Sequence, residues 1–251
     1  MNTILETTLT PAEFETFRTR DLGAAVCVVF DILRATTTMN SALANGAESI
    51  IPVETIEDAL AVRAERPDVL LAGERGGVRI TSELGGVEFD LGNSPREYTA
   101  DAVAGRSIVM TTTNGTRALR ACAGAGRVLI ASLQNLRSVA NWIEANTVRH
   151  LILVCAGTEE EAAYEDMLAA GALADMVMPG FLSGHVSDAA EMARQTYRIM
   201  QRDLYSAMQY ARNGRRLLAM PDLKEDVRFC VQRETLTLVA GMNRAGEVRL
   251  L

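Results

Sequence analysis

Residues 24–38 read Ala-Ala-Val-Cys-Val-Val-Phe30-Asp31-Ile-Leu-Arg34-Ala-Thr36-Thr37-Thr38. The seven residues through Phe30 form an unbroken apolar run rich in β-branched side chains. That pattern belongs to a strand buried on both faces. Asp31 is the first charge after the run. Three threonines then enter a segment, 35–45, that predicts a helix stopping at Asn45-Gly46. Unpaired N–H groups and the helix dipole at such a start favour an anion, and threonine hydroxyls add donors. The plainer alternative is that one threonine caps the helix and Asp31 is a turn residue.

The same alternation extends in both directions. Upstream, Thr10-Pro11-Ala12-Glu13 is a capping box with proline at the first helical position. Downstream, short apolar runs at 49–53, 69–72, 107–112, 128–131 and 151–155 alternate with helical patterns opening at Thr55, near Thr116, and over 136–145. Strands alternating with helices imply βαβ units and a mainly parallel sheet. Beyond Cys155, helices are expected over about 162–178 and, as one long element, from Ser187 to Arg212. The latter carries an apolar stripe of Ala189, Met192, Ala193, Tyr197, Met200, Leu204, Ala207, Met208 and Ala211. A hairpin pairing 235–239 with 247–250 closes the chain. The expected fold is α/β, three-layer α/β/α, in a single domain 1–251 whose C-terminal lobe, about 180–251, is helical and partly β.

Composition narrows the function. Of 251 residues 48% are hydrophobic, and 25 Lys plus Arg against 32 Asp plus Glu give a net charge of −7. Disorder and a membrane span are both excluded, and a general nucleic-acid binder would carry a basic face. The N-terminus lacks the basic region of a secretory signal. Four cysteines without a Cys-x-x-Cys pair form no disulfide or zinc framework, so a reduced, cytoplasmic protein is expected. An acidic chain that binds an anion needs a metal, arginines or helix N-termini.

Ligands of an open parallel sheet sit beyond the carboxyl ends of its strands, and four segments occupy such places. The first holds Asp31, Arg34, Thr36, Thr37 and Thr38. The second, Thr111-Thr112-Thr113-Asn114-Gly115-Thr116-Arg117, repeats its logic. The third is the long 73–99 connection, with Glu74 after a strand and Asn93-Ser94 later. Ser94 either faces the pocket or caps a turn in Ser94-Pro95-Arg96-Glu97. The fourth follows Cys155: Glu159 to Glu161 read as a solvated run, whereas Glu165 and Asp166 lead an apolar helix at the same sheet edge as Asp31. A hard cation such as Mg2+ takes one or two carboxylates plus water and phosphate. His150 and His185 have no evident partners. Cys27 and Cys230 are expected as buried fillers. The glycine patterns of nucleotide-binding loops are absent.

As a set, Asp31 to Thr38, Gly73-Glu74-Arg75, Leu91 to Pro95, Thr111 to Ala118, Cys155-Ala156-Gly157 and Glu165-Asp166 resemble the 2-phosphosulfolactate phosphatase family over roughly residues 20–235. Gly214 to Leu218 and Asp226 to Cys230 also look familial. The sequence departs after Cys230, where Glu234 stands near the place of an expected Asp. The resemblance implies Mg2+-dependent hydrolysis of a small anionic phosphoester, 2-phospho-3-sulfolactate, by a homo-oligomer with no nucleic-acid or membrane partner. The expected metal ligands are Asp31, Glu165 and Asp166, and the expected catalytic groups are Asp31, Arg34 and Asp166. Substrate contacts are expected from Thr36, Thr37, Thr38, Glu74, Asn93, Ser94, Thr112, Thr113, Asn114, Gly115, Thr116 and Arg117. Three rivals remain: a phospho-aspartyl intermediate on Asp31, a phosphatase acting on a different small phosphoester, and a non-catalytic binder of phosphorylated or sulfonated metabolites.

Overall fold

The computed structural model describes residues 3–251. The strands are β1 Ile4–Thr8, β2 Val26–Phe30, β3 Ser49–Val53, β4 Leu70–Arg75, β5 Val78–Arg79, β6 Ser107–Thr111, β7 Arg127–Ala131, β8 His150–Cys155, β9 His185–Val186, β10 Ala240–Met242 and β11 Val248–Leu250. The helices are α1 Ala35–Ala44, α2 Ile56–Glu65, α3 Ser82–Gly85, α4 Ala100–Val103, α5 Gly115–Ala121, α6 Leu136–Ala145, α7 Tyr164–Val177, α8 Asp188–Met200, α9 Leu204–Ala207, α10 Arg212–Leu218 and α11 Lys224–Cys230.

The expected α/β sandwich is present. One mixed sheet runs β5-β4-β6-β3-β11-β10-β7-β2-β8-β1-β9. Two parallel blocks, β4-β6-β3 and β7-β2-β8-β1-β9, flank the C-terminal hairpin. β10 pairs antiparallel with β7, and β11 meets β3 at one antiparallel bridge, Val248 to Ile50. β2 explains why the 24–30 run reads as it does. Val26, Val28 and Phe30 pack towards α6 and α7, while Cys27 and Val29 pack towards α1 and α5. A strand between two helical layers has no polar face. No helix among the described residues is long and apolar enough to cross a membrane.

Several elements differ from the sequence reading. The capping box at Thr10 forms, with Glu13 accepting the Leu9 and Thr10 N–H groups, but the helix it opens, Pro11–Arg18, is 3-10. The hairpin's first strand lies after residue 239, and β1 was not anticipated: Ile-Leu-Glu-Thr-Thr carries too few large apolar residues to stand out. The expected 187–212 helix is three pieces. Asp203 accepts from the Ser206 N–H and so caps a new start at α9. Within α8 the buried positions are Ala190, Ala193 and Tyr197, whereas Met192 is exposed. The reason is close helix packing: a Cβ added to Gly171 of α7 would lie 2.1 Å from the Ala193 carbonyl oxygen. Only small residues fit that seam, and methionine is turned outward.

Candidate active site

The cleft lies where the C-terminal ends of several strands meet α10. Asp31, Leu33 and Arg34 come from the end of β2, Glu74 and Gly77 from the β4–β5 turn, and Asn93 from the following connection. Thr112, Thr113 and Asn114 follow β6, Thr158 and Glu159 follow β8, and Asn213, Arg216 and Leu217 belong to α10. The enclosed cavity is about 60 Å³. A larger, mainly apolar groove of about 450 Å³ lies at the other end of the sheet, beside the start of β8, away from every acid in the cleft.

Gly115 brings the first two threonine-rich turns together. A Cβ there would meet Asp31 Oδ2 at 2.7 Å and the Ala35 Cβ at 2.7 Å, so the helix start of α5 rests directly on the Asp31 turn. The threonines themselves build the turns. The Thr36 hydroxyl donates to the Asp31 carbonyl (3.0 Å), Thr37 to the Ile32 carbonyl (3.0 Å), Thr38 to the Asn93 carbonyl (2.9 Å) and Thr116 to the Thr112 carbonyl (3.0 Å). All four are buried. Their hydroxyls donate to backbone carbonyls, local ones except for Thr38, none serves as the helix cap, and they stand behind the cleft wall.

The acids divide into those that hold the walls and those with oxygens to spare. Asp166 Oδ1 accepts the Ile32 N–H (2.8 Å) and its Oδ2 accepts the Gly157 N–H (3.1 Å), tying the β2 and β8 turns together. Glu74 accepts the Thr113 N–H and hydroxyl on one oxygen and the Gly77 N–H on the other. Asp31 Oδ1 accepts the Ala35 N–H (3.1 Å), while its Oδ2 makes no hydrogen bond. Glu165 Oε1 accepts from the Asn213 amide (2.8 Å), and Oε2 is buried without a partner, as is Asn93 Oδ1. Burial pushes the Asp31 carboxyl up to about 7, with the charges of Glu74 and Glu165 adding to it against the Ala35 N–H. Burial likewise raises Glu165, and raises Asp166 well above the usual carboxylate range, where Glu165 and Asp31 add to the effect.

Arg34, 3% exposed, donates to Asp226 Oδ2 (2.6 Å) and to the Gly77 carbonyl. Asp226 is fully buried and also accepts from Ser94 Oγ (2.7 Å) and Arg96 Nε (2.8 Å). Ser94 therefore faces Asp226, leaves its own turn uncapped, and stands outside the cleft lining. Arg117 pairs with exposed Glu160 (2.6 Å) and lines a neighbouring cavity of about 500 Å³ with Arg18 and Arg120. Glu159 and Glu161 form the solvated face expected of them, paired with Arg212. Glu234 accepts the Arg137 N–H, outside the cleft.

Asp31, Arg34, Glu74, Asn93, Thr112, Thr113 and Asn114 thus line one cavity. Asn213, Arg216 and the Asp226 counter-ion are the residues that sequence reasoning did not assign. Gly214-Arg215-Arg216 after a turn was a visible signal, whereas Asp226 stood out only as the start of a familial stretch, with nothing to name Arg34 as its partner. All four cysteines are free and buried. Burial, with Asp166 nearby, raises the Cys155 thiol well above its ordinary range, so it is no nucleophile.

A divalent cation can be tested against these donors. Among the described residues no three His, Cys, Asp or Glu side chains stand in a ready metal cluster. Mg2+ does not require one, since it keeps water and phosphate oxygens. A free Asp31 Oδ2 and the partnerless oxygens of Glu165 and Asn93 fit it chemically. Asp166 has both oxygens committed to backbone N–H groups.

The sequence model of the 2-phosphosulpholactate phosphatase family matches residues 9–244. Three relatives carry the name "Probable 2-phosphosulfolactate phosphatase". The protein of Deinococcus radiodurans is 42% identical over 215 residues, 85% of this chain and 86% of its own. That of Symbiobacterium thermophilum is 38% identical, covering 92% of this chain and 96% of its own. That of Caldicellulosiruptor saccharolyticus is 37% identical, covering 87% and 89%.

Proposed function

The chain belongs to the 2-phosphosulpholactate phosphatase family, and from that premise we propose that it hydrolyses 2-phospho-3-sulfolactate to 3-sulfolactate and phosphate with the help of Mg2+. The observation that carries the reading is the convergence of desolvated carboxylates and a buried guanidinium on one polar cavity. A simple anion binder gains nothing from Asp31, Glu74 and Glu165 beside its ligand.

Asp31 and Glu165 would hold the Mg2+, with Asn93 Oδ1 as a further oxygen. When bound, the metal offsets negative charge on the phosphoryl oxygens. Arg34 has N–H donors beyond the two it spends on Asp226 and Gly77. They face the cavity and stabilise the equatorial phosphoryl oxygens as charge builds in the transition state. Asp226 keeps that guanidinium in place. Asn93 and Asn114 orient the ester, and Asp166 and Glu74 fix the turns that carry these groups. Water attacks phosphorus and the bond to the ester oxygen breaks; one proton of the water passes to that oxygen, which leaves as the hydroxyl of sulfolactate, and the remaining O–H stays on the phosphate.

Four buried, unpaired thiols support a reducing, cytoplasmic setting. Leu182, Met192 and Ile199, large apolar side chains left exposed in and just before α8, support a homo-oligomer, which light scattering would detect. Phosphate release from 2-phospho-3-sulfolactate, with Mg2+ and with a chelator, tests the reaction. Asp31→Asn should lower turnover by about 10²–10³-fold or more while the protein stays folded. Full turnover in that variant, or none in the parent with Mg2+, sinks the proposal.

A further inference from the structure

Two guanidinium groups line the cleft, and they differ in kind. Arg34 is buried and neutralised by Asp226. Arg216 is exposed, and among the described residues it has no ion pair and no hydrogen bond. It is not a stray surface side chain. Asn213, one turn earlier on the same helix face, is tied to Thr158 (2.7 Å) and Glu165 (2.8 Å), which fixes that face of α10 against the cleft. The Arg216 guanidinium lies over Gly77, whose added Cβ would come within 2.8 Å of its Nη2. The carbonyl of the same glycine accepts from Arg34. Two guanidinium groups therefore converge on one residue, and Arg216, unlike Arg34, has no ion pair among the described residues to offset its charge.

The other charged side chains of the lining are acidic: Asp31, Glu74 and the Arg212-paired Glu159 line the cavity, with Glu165 behind. Arg34 and the proposed metal serve the phosphoryl group. A substrate with a second strong anion needs a separate cation, and among the described residues that line the cleft Arg216 is the one without a counter-ion. We propose that Arg216 is the specificity residue that recognises the sulfonate of the substrate, at the exposed rim of the cleft. The assignment rests on the substrate reading above. A guanidinium suits a sulfonate because its planar fork gives paired N–H donors to two oxygens.

The test compares 2-phospho-3-sulfolactate with 2-phospholactate, which keeps the phosphate and carboxylate and lacks the sulfonate. The parent enzyme should prefer the sulfonated ester. Arg216→Ala should lower kcat/KM for it by about 10–100-fold, mainly through KM, as expected for losing one charge-assisted contact. For 2-phospholactate the change should stay within about threefold, and Arg216→Lys should restore part of the loss. Equal use of both esters by the parent, equal losses on both in Arg216→Ala, or no loss on either overturns the assignment. Should the parent hydrolyse neither ester, the substrate reading fails by itself. Calorimetric binding of 3-sulfolactate and of lactate then decides on Arg216: a loss of about tenfold or more confined to sulfolactate in Arg216→Ala upholds it, and unchanged binding or no binding to the parent overturns it.

Discussion

Replacing Gly115 by alanine tests whether the Asp31 turn and the 112–116 turn share one site. The new Cβ would stand 2.7 Å from the Ala35 Cβ and 2.7 Å from Asp31 Oδ2, with the Asp31 Cβ at 3.3 Å. Carbon pairs rest at about 3.5–4.0 Å, so one turn must retreat by roughly 0.8 Å. The Ala35 Cβ is fixed by the backbone of α1, and the Asp31 oxygen is the atom on which the chemistry depends. Overpacking of this kind costs about 1–3 kcal/mol, and alanine returns up to about 1 kcal/mol in helix propensity. The net loss of about 0–2 kcal/mol lowers Tm by at most about 8 °C for a domain of this size. A displacement near 1 Å between reacting groups costs about 10²-fold in rate. The expected signature is thus a near-native melting curve with kcat/KM for phosphate release down about a hundredfold. Gly124→Ala, which meets nothing within 4 Å, serves as the control. Gly115→Ala enzyme with parental kcat/KM would mean that the two turns do not enclose a common ligand.

Three further substitutions probe the scaffold. Asp226→Ala strands the buried Arg34 guanidinium without a counter-ion and should cost about 3–5 kcal/mol in denaturant unfolding; a loss below about 1 kcal/mol would refute the clamp. Gly171→Ala drives a Cβ to 2.1 Å from the Ala193 oxygen, so α7 and α8 must separate at a cost of about 3 kcal/mol, and unchanged stability would show that they do not pack so closely. At Glu6 burial pushes the carboxyl up, but bonds to Arg20 and His150 outweigh it and leave the group below its ordinary value. Its contribution, about 1 kcal/mol, is complete above the unfolded carboxyl pKa and disappears as pH falls through the lower folded value. Glu6→Gln should accordingly be less stable than the parent at pH 7, and the gap should close in acid; a gap that persists at the lowest pH where the fold survives contradicts the linkage.

The layered fold was legible because β2, and β8 after its first residue His150, are buried on both faces and carry no polar residue to blur the pattern. The carboxyl-end rule then located the cleft, and Asp31, Glu74, Asn93 and Asn114 face it. Direction was not legible. Residue type alone does not say whether a hydroxyl donates to a ligand or to a backbone carbonyl, and Thr36, Thr37, Thr38 and Thr116 all chose a carbonyl, that of Thr38 lying 55 positions away. Nor does a local sequence reveal a partner far along the chain: Asp226 reaches Arg34 across 192 positions, and the Lys224–Cys230 segment reads as an ordinary short amphipathic helix. The helix break at Asp203 was readable in principle, since Asp followed three residues later by Ser is a capping arrangement, but the continuous apolar stripe masked it.

The charge balance of the cleft explains why those distant partners matter. An acidic pocket repels a polyanion unless each acid is either occupied or offset. Glu74 and Asp166 are occupied, with every carboxylate oxygen holding a backbone N–H. Asp31 and Glu165 keep one oxygen each unspent, and burial has raised both, so they are the pair that gains most from a bound cation. Arg34 offsets Asp31 only in part, because Asp226 shares its charge; what it offers a ligand is direction, a rigid set of N–H donors held on two sides. Net positive charge in the cleft is thereby left to whatever the free Asp31 and Glu165 oxygens hold and to Arg216 at the exposed rim. A ligand with one anionic group can satisfy one of the two. A ligand with two, spaced across the cavity, satisfies both, and this is the physical basis on which the cleft can discriminate a sulfonated phosphoester from a simple one.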